Sequence, residues 1–63
     1  MNLKALRMGK GMTLEELAAK VGKSASAVCL YEQGKREPNL ETLRRLAAAL
    51  GVTVDELIRK GEG

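Results

Sequence analysis

The sequence predicts an all-α domain of five short helices. Three observations predict it. Apolar residues recur at three- and four-residue spacing through most of the chain. Hydroxyl or amide residues stand ahead of these runs, and glycines stand behind them. The single aromatic is Tyr31, so the core must be made of Leu, Val, Ala, Met and Ile. That set suits closely packed helices and lacks the aromatic residues that favour a sheet.

The elements follow in order. Asn2 is placed to cap a first helix carrying Leu3 and Leu6, which stops near Gly9 and Gly11. Thr13-Leu14-Glu15-Glu16 reads as a capping box, in which hydroxyl and carboxylate each accept from a free backbone N–H. It opens a second helix with Leu14, Leu17, Ala18 and Val21 inward, and Gly22 supplies the turn. Ser24 caps a third helix that runs to Gln33 and stops at Gly34. In the loop that follows, Pro38 keeps Glu37 out of helical geometry. Asn39 caps a fourth helix with Leu40, Leu43, Leu46, Ala47 and Leu50 as its buried stripe and Gly51 as its stop. Thr53-Val54-Asp55-Glu56 is a second capping box and opens a fifth helix with Val54, Leu57 and Ile58. Gly61-Glu62-Gly63 reads as a frayed tail.

At 63 residues the chain amounts to one domain, 1–63. There is no histidine, and Cys29 is the single cysteine, so the chain offers no internal disulfide, no metal-ligand cluster and no nucleophile beside an activating base. No enzyme, cofactor or metal site is expected, nor a small-molecule substrate. No apolar run reaches the roughly 18 residues that span a membrane, and no leader precedes the first helix. The expectation is a soluble, cytoplasmic protein. Charge is uneven. Residues 1–36 carry seven bases against three acids, a net of +4, and residues 37–63 carry four against five, a net of −1. A basic half points to a polyanionic partner.

The second and third helices are joined by a very short turn at Gly22-Lys23. Helices joined so closely cross steeply, and the crossing needs a small side chain. Ala18, four residues before the turn glycine, and Val28, six after it, meet that need. Ala, Gly and Val at this spacing describe a helix-turn-helix unit, here about residues 14–33.

Residues 12–57, MTLEELAAKVGKSASAVCLYEQGKREPNLETLRRLAAALGVTVDEL, resemble the phage repressor and Cro-like helix-turn-helix family. The likeness includes Tyr31-Glu32 followed by Gly34-Lys35, Pro38 ahead of the fourth helix, and the closing LAAALGVTVDEL. It implies a domain that binds double-stranded DNA with the third helix in the major groove. It implies phosphate contacts from Thr13, Lys23, Lys35, Arg36 and Asn39, which stand at or beside helix N-termini. It implies an ion pair between Arg7 and Glu32 that fixes the first helix against the third. It also implies a role in transcription regulation, which in the family is commonly carried out as a two-fold dimer on a palindrome; this chain is expected to act as a monomer or as a weak homodimer on DNA through Leu57, Ile58 and the end of the fourth helix.

The third helix departs from the family in its outer face. Val28 and Tyr31 face inward and Ala27 lies at the core's edge. Ser24, Ala25, Ser26, Cys29, Leu30 and Gln33 remain to meet bases. Where the family often has Gln, Arg, Lys or Asn at the positions of Ala25, Ser26 and Leu30, this chain has small or apolar groups. Leu14 replaces a frequent Gln. Two readings follow. In one, the face reads shape and thymine methyls, with hydroxyls from Ser24 and Ser26 and an amide from Gln33. In the other, a patch of Leu14, Cys29 and Leu30 meets a protein partner. The basic fringe of Lys23, Lys35 and Arg36 favours the first. The regular caps and plain reading face also suit an engineered or idealised member of the scaffold.

Overall fold

The computed structural model describes residues 1–59. Five helices follow one another: α1 (Leu3–Gly9), α2 (Leu14–Val21), α3 (Ala25–Gln33), α4 (Leu40–Leu50) and α5 (Val54–Ile58). Among the described residues there is no strand, and no helix is long and apolar enough to cross a membrane. The tail at 61–63 lies outside the described residues.

The caps form where the side chains allow them. Thr13 Oγ1 accepts from Glu16 N at 3.1 Å, while Thr13 N donates to Glu16 Oε1 at 2.8 Å. Thr53 and Glu56 repeat the arrangement at α5. Ser24 Oγ accepts from Ala27 N at 3.1 Å, and Asn39 Oδ1 from Thr42 N at 2.9 Å. Each oxygen satisfies a donor that the first helical turn leaves open.

α1 differs from the expectation. Asn2 makes no side-chain cap. Its backbone sits at φ −99°, ψ 25°, outside the extended geometry that points a cap inward. Its N–H instead donates to Leu57 O at 2.8 Å and ties the start of α1 to α5. The end of α1 is as expected: Gly9 is its last residue and the chain reverses at Gly11, whose φ is +68°. α5 closes without a glycine, at extended Arg59.

One cluster unites all five helices: Leu3, Leu17, Ala18, Val21, Val28, Tyr31, Leu46, Ala47, Leu50 and Leu57. α2 packs on α3 and α4, α5 packs on α4, and α1 packs on α3 and α5. Pro38 is buried and anchors the α3–α4 loop. Two assignments to the core are corrected. Leu40 is 57% exposed and Ile58 50% exposed. Leu40 is the first residue of α4, and Thr42 is buried at that end instead. Ile58 is the last residue of α5 and stays exposed beside Leu57, which is fully buried. The expected self-association surface therefore changes as well: Leu57 and Leu50 are sealed in the core, while Ile58 and, at the end of α4, Ala48 remain accessible.

Candidate nucleic-acid interface

The geometry starts at the α2–α3 turn. Gly22 has φ +69° and ψ 33°, a left-handed conformation that glycine adopts without a Cβ penalty. The reversal lets Lys23 N donate to Ala18 O at 3.0 Å and closes α2. Two residues after Gly22, Ser24 caps the next helix, so α3 must leave α2 at a steep angle. Ala18 and Val28, both buried in the shared cluster, fill that angle.

α3 rests on the fold through a narrow face. Only Val28 and Tyr31 are buried. Ser24, Ser26 and Gln33 are exposed. Ala25, Ala27, Cys29 and Leu30 are half-buried, and the two alanines pack against the core. Three of the six residues expected to face bases, Ala25, Cys29 and Leu30, are therefore less outward than the sequence implied. On a helix of nine residues, positions flanking the buried stripe are shaded by neighbouring helices. Gln33 Nε2 donates to Cys29 Sγ at 3.4 Å, one turn back along the same face.

α3 is held by an ion pair. Arg7 Nε donates to Glu32 Oε2 at 2.6 Å, and Nη2 approaches Oε1 at 3.4 Å. Arg7 Nη1 donates to the carbonyl of Met12 at 2.7 Å. The two side chains are 12% and 7% exposed. The hydrogen bond to Glu32 holds the Arg7 guanidinium above its usual range; burial opposes this rise and the Glu32 charge adds to it. One arginine thus joins α1, the α1–α2 loop and α3. The Met12 contact was not visible in the sequence, because any residue supplies a backbone carbonyl.

The cationic fringe is exposed. Lys23 precedes α3, and Lys35 and Arg36 follow it in the α3–α4 loop. Gly34, at φ +75°, turns the chain there, and Lys35 N closes α3 on Leu30 O at 3.0 Å. Asn39 is exposed at the start of α4. The helix starts differ in charge. The first turn of α3 carries no acid, that of α4 carries Glu41, and that of α2 carries Glu15 and Glu16. Two carboxylates beside Thr13 oppose a phosphate, so Thr13 is the least favoured of the five anchors on electrostatic grounds.

The patch of Leu14, Cys29 and Leu30 is not a free apolar surface. All three are half-buried and Leu14 packs against the core. The large apolar side chains that do face solvent are Met1, Met8, Leu40 and Ile58. Nothing in this arrangement favours a protein partner at α3.

The profile of the helix-turn-helix family matches residues 3–57. The chain belongs to the helix-turn-helix family. It is similar to the HTH-type transcriptional activator BcrR of Enterococcus faecalis, 41% identical over 56 residues, covering 89% of this chain and 28% of that protein. It is also similar to the uncharacterized HTH-type transcriptional regulator y4dJ of Sinorhizobium fredii, 44% identical over 57 residues, 90% of this chain and 74% of the relative. The cryptic phage CTXphi transcriptional repressor RstR of Vibrio cholerae is 33% identical over 60 residues, 95% of this chain and 54% of that protein. No solved structure matches significantly. Family and relatives together mark this chain as a helix-turn-helix DNA-binding domain; it spans 28%, 74% and 54% of these three relatives.

Proposed function

We propose that this helix-turn-helix domain, residues 1–63, reads double-stranded DNA by seating α3 in the major groove. A groove about 12 Å wide admits one helix with its side chains. The observation that carries the reading is the surface of α3. It gives only Val28 and Tyr31 fully to the core, and its two ends are flanked by exposed Lys23, Lys35 and Arg36.

In this reading Ser24, Ala25, Ser26, Cys29, Leu30 and Gln33 face the base edges. Small side chains let the helix sit deep. Ala25, Cys29 and Leu30 meet thymine methyls, Ser24 and Ser26 offer hydroxyls, and Gln33 offers its amide to adenine or a phosphate. Lys23, Lys35, Arg36 and Asn39, with Thr13 the weakest, hold the phosphates and set the register. With one amide and two hydroxyls for hydrogen bonding, discrimination between sequences is modest. The domain works in the cytoplasm as a transcriptional regulator or part of one, as a monomer or a weak homodimer on DNA, with Ile58 and Ala48 the accessible parts of such a contact.

The test is binding to labelled duplexes selected from a randomised library, at rising salt and with thymine replaced by uracil. Counterion release predicts a steep loss of affinity with salt. Uracil should weaken the selected site and leave a random duplex unchanged. A flat salt response contradicts DNA as the partner, and indifference to uracil contradicts the methyl contacts.

A further inference from the structure

Arg45 lies on α4, outside the reading helix and its two flanking lysines. Its guanidinium crosses to the α2–α3 turn, where Nη1 stands 3.5 Å from the point a Cβ on Gly22 would occupy. Gly22 is next to Lys23 in the chain and two residues before Ser24, so Arg45 stands beside the turn that leads into α3. The other nitrogen, Nη2, donates to Glu41 Oε2 at 2.7 Å. This pair is open to water, with side chains 53% and 72% exposed. An i,i+4 pair in such surroundings binds weakly, so the carboxylate is easily exchanged for another anion. A DNA phosphate can take its place, because it also accepts from the guanidinium and brings a more concentrated negative charge to a chain segment that includes Lys23.

We propose that Arg45 is a further phosphate-gripping residue beside Lys23, held in place at the turn by Glu41 until DNA displaces that carboxylate. The proposal rests on the reading that α3 enters the groove, and it adds a residue and a restraint to it. Glu41 then has two opposed effects. It points the guanidinium toward the turn, and it competes with the phosphate for the same nitrogen. Its removal therefore strengthens binding where a purely structural pair would leave binding alone.

The experiment measures affinity of the whole chain for a random duplex across a salt series, by fluorescence anisotropy. Arg45→Ala should lower the slope of log affinity against log salt by about one, the value for one lost phosphate contact. Arg45→Lys should restore most of the slope, since the charge remains. Glu41→Gln should tighten binding several-fold at low salt, and Glu41→Gln combined with Arg45→Ala should lose that gain. Circular dichroism checks that each variant keeps its helices. A slope left at the wild-type value by Arg45→Ala, or a gain from Glu41→Gln that survives loss of Arg45, overturns this proposal alone. A wild-type chain that binds no duplex at low salt overturns the groove reading and this proposal with it.

Discussion

α3 and α4 are capped alike and use their surfaces in opposite ways. Each begins with a side-chain oxygen accepting from the third helical N–H, and each ends at a left-handed glycine. α4 then buries Thr42, Leu46, Ala47 and Leu50, and its ion pair, Glu41–Arg45, lies in water. α3 buries Val28 and Tyr31, and its ion pair, Arg7–Glu32, lies nearly dry. The two pairs have almost the same length, 2.7 and 2.6 Å. Their surroundings decide what they do. α4 is held by apolar burial. α3 keeps a face free and buries only two side chains, and a directional ionic clamp fixes its C-terminal half. Length of contact alone says nothing about this division.

The comparison is broken most severely by deleting core from α4. Leu46→Ala should cost about 2–5 kcal/mol, the range for a fully buried leucine, and a domain this small should then be largely unfolded near body temperature. Urea or thermal unfolding followed by circular dichroism reads the loss. Arg7→Ala comes next, at about 3 kcal/mol, because it leaves the Glu32 carboxylate buried without its partner. The double variant Arg7→Met, Glu32→Leu should recover most of that loss, which separates a bare buried charge from lost attraction. The raised pKa of Arg7 fixes the pH behaviour. A group whose folded pKa lies above its unfolded value contributes in full below the unfolded value and loses its contribution only as pH rises through the folded one. The Arg7 contribution should therefore stay flat through neutral and mildly alkaline pH and fail only in strong base.

Substitutions on the free side of α3 and its flank should spare stability and change binding. Lys35→Ala or Arg36→Ala should weaken binding to all sequences alike and reduce the salt slope by about one each. Ser26→Ala and Leu30→Ala should shift the preferred sequence in a library selection. An unchanged preference means that the helix is docked in another register. The smallest expected effect on folding is at the open pair of α4, where Glu41→Ala should change stability by less than about 0.5 kcal/mol.

Much of this division was legible in the sequence because the fold is written in local signals. Capping boxes, cap residues and turn glycines each act over a few residues, and four of the five helix starts follow them. Asn2 failed as a cap because its backbone is recruited by Leu57 O, a contact set by how α1 meets α5. Leu40 and Ile58 fit the apolar spacing but are the first and last residues of their helices and stay exposed. The Arg7–Glu32 pair follows from the family resemblance; the third partner, the Met12 carbonyl, and the reach of Arg45 to Gly22 depend on packing between helices. The half-burial of Ala25, Cys29 and Leu30 has the same origin, since spacing gives the direction of a side chain and not the shade cast by the next helix.

The central claim is that the Ser24–Gln33 segment is the surface that meets DNA. Chemical-shift mapping of the isotopically labelled chain, titrated with a short duplex at low salt, tests it directly. The largest changes should fall on Ser24, Ser26, Leu30 and Gln33, with Lys23, Lys35 and Arg36 beside them, while α1 and α5 stay nearly still. Changes centred on α1 or α5, or no changes at all, contradict it.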